Sequence, residues 1–229
     1  MLDDIECINA LQTRLNEFIT PNWIEVRTLK EWAVACMSEI QEAIDTQKWK
    51  WWKKSSTDDD RLLLELVDIL HFSTSGYVTQ SQQPPRTVGN YLIPVASLDV
   101  AQFRDSDTLS QLVMLMKIAT FCFEGSGNFA DITNGVLMMA KSRDMPIMQN
   151  YFAKHCLNYI RQLKGYKTGL YKKPENEDSL LHNAAGFYDS GLSHSENYDT
   201  IASYLYDAYN IEFPLRLSFE QILEKTFIQ

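Results

Sequence analysis

Leu62-Leu63-Leu64-Glu65-Leu66-Val67-Asp68-Ile69-Leu70-His71-Phe72 sets two carboxylates three residues apart among side chains that are otherwise almost all apolar. Ile69 and Phe72 flank Glu65 at helical spacing, and Leu64 and Phe72 flank Asp68, so neither acid falls on a clean polar face. On a helix a spacing of three leaves the pair about 60° apart, close enough to reach one object. The preceding segment repeats the theme. Leu29, Ala33, Cys36, Ile40, Ala43 and Ile44 make one apolar stripe from about Thr28 to Asp45, Thr28 with Glu31 fits a capping box, and the helix carries Glu39 and Glu42 as E-x-x-E. Two such helices side by side would aim four carboxylates at one point.

A buried carboxylate without a partner is costly, so such groups are protonated, paired with a cation or bound to metal. Hard oxygens without neighbouring thiolates suit Mg²⁺, with Mn²⁺ as a second choice. E-x-x-E alone says little, because solvent-facing glutamate pairs at that spacing are common on helices; the apolar setting of the second pair gives the reading its weight. His71 follows Asp68 by three and can either join a carboxylate cluster or serve as a hydrogen-bonded structural histidine. Cys36 lies on the apolar stripe and reads as core.

The rest of the chain is helical by pattern. Ile5, Ile8, Leu11, Leu15 and Phe18 mark an opening helix that Pro21-Asn22 ends, and the third helix runs from about Asp60 to past Phe72. Gln80 to Pro94, polar and with three prolines, reads as a loop with a short extended piece at Tyr91 to Val95. Helical patterning resumes at Ser110 to Phe123, Phe129 to Lys141, Met148 to Leu163, Ser195 to Asn210 and Phe219 to Phe227. The expected fold is all-α, an antiparallel bundle with a long excursion in its middle.

Composition narrows the function. At 229 residues, with 45% hydrophobic and 22% charged residues, the chain is large enough for a sizeable core and is not disordered. Lys plus Arg number 21 against 30 Asp plus Glu, which argues against indiscriminate binding to nucleic acid or an anionic membrane. Cys7, Cys36, Cys122 and Cys156 form no C-x-x-C pair, so neither zinc knuckle nor disulfide framework is readable, and reduced thiols in a cytoplasmic setting are expected. The acidic N-terminus lacks a signal-peptide pattern, and no uncharged apolar run approaches the roughly 20 residues of a membrane span.

Within this acidic chain, Lys154 to Lys173 (KHCLNYIRQLKGYKTGLYKK) contains no Asp or Glu. Asn158 and Arg161 share a helix face that Gly165 ends, leaving Lys167 and Tyr171 on the loop behind. Guanidinium forks and ammonium charges grip phosphate, although a solvated basic face would look the same in sequence. Between the two acidic helices, Lys48-Trp49-Lys50-Trp51-Trp52-Lys53 places aromatic planes beside cations, an arrangement that fits a nucleoside or plain packing.

These features occur in an order that resembles the dimeric, all-α dUTP pyrophosphatases of the all-α nucleoside triphosphate pyrophosphatase superfamily. The matching residues are Leu11-Gln12 with Leu15-Asn16, Glu39-x-x-Glu42, Trp49-Lys50-x-Trp52-Lys53, Glu65-x-x-Asp68 with His71-Phe72, Asn158-x-x-Arg161 and Gly165-Tyr166-Lys167-x-Gly169-x-Tyr171. Glu177-Asp178 looks like the acidic pair that follows in the family, while Gln80 to Thr108 and the tail after Asn183 match no motif. The resemblance implies one all-α domain, its core at about 1–80 plus parts of 145–229, with a more mobile helical insert at about 81–145, and a homodimer. It further implies Mg²⁺-dependent hydrolysis of dUTP to dUMP and pyrophosphate, which keeps uracil out of DNA and supplies dUMP for thymidylate synthesis. By the same resemblance Glu39, Glu42, Glu65 and Asp68 hold metal, and Glu39 also orients the attacking water. Asn158, Arg161, Lys167 and Tyr171 take the phosphates, and Gln12, Asn16 and Trp49 contact base and sugar, with Lys53 and His71 as further candidates.

Other readings stay open. dCTP, alone or beside dUTP, is the near alternative substrate. A di-iron carboxylate protein would need two E-x-x-H motifs, of which the chain offers only Asp68-x-x-His71. A non-catalytic interaction bundle would need neither buried acids nor the basic loop.

Overall fold

The computed structural model describes residues 4–82, 87–88, 91–92 and 98–224. Apart from a two-stranded pair, β1 (Thr87–Val88) and β2 (Tyr91–Leu92), every regular element described is helical, so the fold is all-α. The strands are antiparallel, with Thr87 opposite Leu92 and Val88 opposite Tyr91. The remainder of the extended piece expected at Tyr91 to Val95 lies outside the described residues. None of the described helices is long and apolar enough to cross a membrane. The chain divides into two compact units, Met1–Trp23 with Met148–Gln229, and Ile24–Ile147.

The second of these units carries both acidic helices. Helix α3 (Leu29–Asp45) follows the short α2 (Trp23–Val26) and begins as its sequence predicts. Thr28 Oγ1 accepts from the Glu31 amide at 3.2 Å, and the Glu31 carboxylate accepts from the Thr28 amide at 2.8 Å, closing the capping box. Helix α4 (Asp59–Ser81) is capped by Asp58, whose carboxylate accepts from the Arg61 amide at 2.9 Å. That cap sets Arg61 one turn ahead of Glu65.

Helix α4 runs well past Phe72 because its C-terminal half is built for close approach. Ser75 and Thr79 hydroxyls donate to the carbonyls of His71 and Ser75 at 2.7 and 2.9 Å, so these small polar side chains are buried without orphaned groups. Helices α5 (Val100–Asp105), α6 (Thr108–Glu124) and α7 (Phe129–Ser142) complete the unit, with α3 packed on α4 and α6, and α7 on α4 and α6. A Cβ at Gly76 would come within 2.3 Å of the Phe129 ring, so only glycine lets α4 and α7 meet there.

The other unit joins α1 (Asp4–Ile19) to α8 (Ile147–Leu163), α9 (Glu177–Ala185), α10 (His194–Ala208) and α11 (Phe219–Glu224), with a 3₁₀ turn at Tyr166–Thr168. Residues 225–227 of the closing helix expected from sequence lie outside the described residues. The core of this unit is aromatic. Tyr151, Phe152, His155 and Tyr198 are buried together, Phe152 and Tyr198 meeting edge to face at 5.7 Å. His155 bonds the Leu11 carbonyl through Nε2 at 2.9 Å and the Tyr198 hydroxyl through Nδ1 at 2.9 Å. A carbonyl only accepts, so Nε2 carries the proton and Nδ1 accepts from Tyr198. Burial pushes the imidazole pKa down to about 4, against the Leu11 bond, which raises it; His155 is a neutral tie between α1, α8 and α10.

Candidate metal centre and nucleotide-binding residues

One turn of α3 and one turn of α4 bring Glu39, Glu42 and Glu65 together, each offering a carboxylate oxygen within 4.8 Å of the others. Glu65 is buried, Glu39 half-buried and Glu42 exposed, so the cluster opens toward solvent on the Glu42 side. Asp68, one turn further along α4 and half-buried, lies outside that trio, yet its charge is felt at Glu65. Burial raises the Glu65 pKa most; the hydrogen bond from Arg61 opposes this, and the charges of Glu42 and Asp68 add to it, leaving the carboxyl above its ordinary range. His71 is buried on α4 and stands outside the carboxylate trio.

The cluster has a counterion that belongs to neither the E-x-x-E nor the E-x-x-D motif. Arg61 Nε lies 3.2 Å from Glu65 Oε1, and its Nη2 lies 3.7 Å from Glu42 Oε2. Its position four residues before Glu65 was the available signal. The donor set of three carboxylates with neither imidazole nor thiolate fits a hard divalent cation bound through oxygen. All four cysteines are buried free thiols, and none belongs to the carboxylate trio.

Trp49 and its neighbours follow α3. The Trp49 indole donates to Asp45 Oδ1 at 3.3 Å, and Lys50 pairs with the same oxygen at 2.8 Å. Trp52 meets Trp49 edge to face at 5.4 Å, while Trp51 is 89% exposed and Lys53 is exposed as well. A group of ring faces and ammonium charges at the surface is therefore open to a flat ligand.

In the other unit, Gln12 and Asn16 are buried on one face of α1, one turn apart, with Gln12 Nε2 donating to Asn16 Oδ1 at 3.1 Å. Tyr151 of α8 donates toward Gln12 Oε1 at 3.3 Å and the Ile8 carbonyl at 3.2 Å, which fixes the orientation of the Gln12 amide. Nothing in the local pattern had singled out Tyr151. Lys167, on the 3₁₀ turn between Gly165 (φ 81°) and Gly169 (φ 74°), is exposed and reaches back to the Ile19 carbonyl at 3.2 Å. Both glycines sit where a side chain would be strained, so the turn that presents Lys167 depends on them.

Asn158 and Arg161 share a face of α8, as their spacing predicts, and Arg161 Nη1 donates to Asn158 Oδ1 at 3.2 Å. Arg161 Nη2 also donates to Glu177, which is completely buried at the first turn of α9. The Tyr171 hydroxyl donates to the other oxygen of Glu177, and the Tyr209 hydroxyl donates to that oxygen at 3.1 Å. Burial pushes the Glu177 carboxyl up, but the bonds from Arg161 and Tyr171 and the Arg161 charge outweigh it and hold the pKa below its ordinary range. Burial is also the leading cause that pushes both phenols up, so they stay protonated and donate. Tyr209, after α10, had no signal in the sequence.

Fold and site together define an all-α protein with a carboxylate centre suited to a divalent cation and a separate set of amide, phenol and cationic side chains. The chain belongs to the all-α dUTPase family: a family model described as dUTPase matches residues 4–166, and the family's activity is that of a dUTP diphosphatase. No curated protein sequence matches the chain. The matched span includes both acidic helices, the tryptophan loop, Asn158 and Arg161, and ends before Lys167, Tyr171 and Glu177. Members of the family take a nucleotide substrate and generally use a divalent metal.

Proposed function

We propose that the chain hydrolyses dUTP to dUMP and pyrophosphate with Mg²⁺ held by Glu39, Glu42 and Glu65, with Asp68 as a fourth ligand. The observation that carries this reading is the grouping of three carboxylates from α3 and α4 inside a span matched by the dUTPase family. Bound there, Mg²⁺ would screen the triphosphate and make water easier to deprotonate at neutral pH. Glu39 orients the attacking water and accepts its proton. Arg161, Lys167, Asn158 and Tyr171 hold the phosphates, the two cations balancing the charge that develops on the departing pyrophosphate. Gln12 and Asn16 read the base, and Trp49 packs on the deoxyribose. The Tyr151 bond holds the Gln12 amide in one orientation, which would suit one pyrimidine edge; uracil follows from the family, and dCTP is the nearest competitor. By family resemblance the working form is a homodimer; light scattering that returns the mass of one chain removes that part of the reading.

The test is a panel of dUTP, dCTP, dTTP and UTP with Mg²⁺, following nucleoside monophosphate and pyrophosphate. The expected result is cleavage of dUTP with dTTP and UTP as poor substrates. An added methyl or hydroxyl is rejected by only about 10- to 200-fold through binding alone, so larger ratios require closure that depends on fit. A larger specificity constant for dCTP than for dUTP transfers the base assignment to cytosine, and equal constants for all four remove the base pocket.

A further inference from the structure

Glu177 is the most deeply buried acid described, and three segments converge on its carboxylate: α8 through Arg161, the segment after the 3₁₀ turn through Tyr171, and the end of α10 through Tyr209. Lys173 lies 3.8 Å from the same group. Two of these partners, Arg161 and Tyr171, are the side chains read above as phosphate contacts, and Asn158, a third, is bonded to Arg161 at 3.2 Å. One carboxylate therefore holds two of the four side chains directly and a third through Arg161. The Arg161 guanidinium carbon also lies 6.0 Å from the ring centroids of Tyr166 and Tyr171, at the outer reach of a cation–π contact with each.

We propose that Glu177, supported by Tyr209, is a positioning residue for the phosphate-binding side chains: it aims Arg161 and Tyr171 so that a triphosphate meets a prearranged donor set. Neither Glu177 nor Tyr209 touches the nucleotide in this account. The physical reason is entropic and electrostatic together. A guanidinium already locked by a buried carboxylate loses little freedom when phosphate arrives, whereas an unlocked arginine must be ordered at that moment. The charge of Glu177 also keeps the buried cation from swinging out to water, since removing one partner of such a pair leaves the other uncompensated. The proposal rests on the reading of Arg161 as a phosphate contact.

A double-mutant cycle on the full chain separates positioning from plain structural support. KM and kcat for dUTP are measured with Mg²⁺ for Glu177→Gln, Arg161→Ala and the combined variant, together with the affinity of inorganic tripolyphosphate. Glu177→Gln is expected to weaken dUTP and tripolyphosphate binding by about 10- to 100-fold, mainly in KM, the size of a lost charge-assisted contact. On the Arg161→Ala background the same change is expected to cost no more than about 2-fold, because the group it aims is already gone. Tyr209→Phe, a milder change, is expected to raise KM by about 2- to 5-fold, again only when Arg161 is present. Losses of equal size with and without Arg161 overturn the proposal, as does unchanged tripolyphosphate affinity in Glu177→Gln. If Glu177→Gln fails to melt cooperatively, the Tyr209→Phe cycle decides by the same criterion. Full dUTP activity in Arg161→Ala removes the phosphate assignment itself, while loss there beside wild-type behaviour in Glu177→Gln removes only the positioning role.

Discussion

At the α3–α4 carboxylates, Glu65 lies among the charges of Glu42 and Asp68 with a half-exposed Arg61 as its counterion, whereas Glu177 in the other unit accepts from one guanidinium and two phenols. Both acids are buried, but the first carboxyl is pushed above its ordinary range and the second is held below it. A buried acid that its own protein leaves short of positive charge is poised to take a cation from solution. One that is fully compensated holds its neighbours in place. That is the difference expected between a site that takes up metal and one that keeps side chains aimed.

The largest effects are expected where that contrast is sharpest. Glu39→Gln or Asp68→Asn should lower dUTP turnover by about 1000-fold or more, since metal charge stabilisation is worth several kcal/mol. The same variants should melt at or above the wild-type temperature in EDTA, because each removes a negative charge from a crowded cluster. Near-wild-type turnover in either one erases the contrast.

The next effect tests how neutral the interior of the first unit is. His155 is buried with its pKa lowered from the ordinary 6.5 to about 4, so the unfolded chain binds this proton before the folded one does. Its contribution to stability is present above pH 6.5 and is lost as pH falls toward 4, on the order of 3 kcal/mol. Denaturant midpoints between pH 7 and 4.5 measure it; stability that holds constant over that range would show that His155 charges within the fold.

Lys167→Ala is expected to reduce kcat/KM for dUTP by about 10- to 100-fold without changing metal affinity, the loss expected for one charged contact. A solvated lysine would give no change, and the kinetics choose between them. Smallest is Arg61→Ala, which removes the competing cation and should tighten Mn²⁺ binding by about 2- to 5-fold, as befits a half-exposed ion pair. Weaker Mn²⁺ binding in that variant would assign Arg61 a supporting role at the cluster instead.

The same two regions differ in how far the sequence could disclose them. Glu39, Glu42 and Glu65 lie on two helices close in sequence, and their apolar periodicity, N-caps and three-residue spacings are all local, so pattern alone brought the helices and their acids to notice. The full reach of α4 was harder, since Ser73 to Gly76 is a run of Ser, Thr and Gly, weak helix formers that close packing against α7 accommodates. The arrangement around Glu177 depends on Arg161, Tyr171 and Tyr209, spread over three segments, and no spacing rule relates them. Tyr151 on Gln12, across 139 positions, is hidden for the same reason. Helix α9 carries little local signal because it is short and follows a basic loop, and only the family resemblance points to Glu177-Asp178 at its start.

Calorimetric titration of Mn²⁺ and then dUTP into the wild type, Glu65→Gln and Arg161→Ala tests the division of labour most directly. The account predicts saturable Mn²⁺ binding in the wild type, its loss in Glu65→Gln, and unchanged Mn²⁺ affinity in Arg161→Ala with dUTP bound at least 10-fold more weakly, about the loss of one charged contact. Mn²⁺ bound by Glu65→Gln as tightly as by the wild type would contradict it.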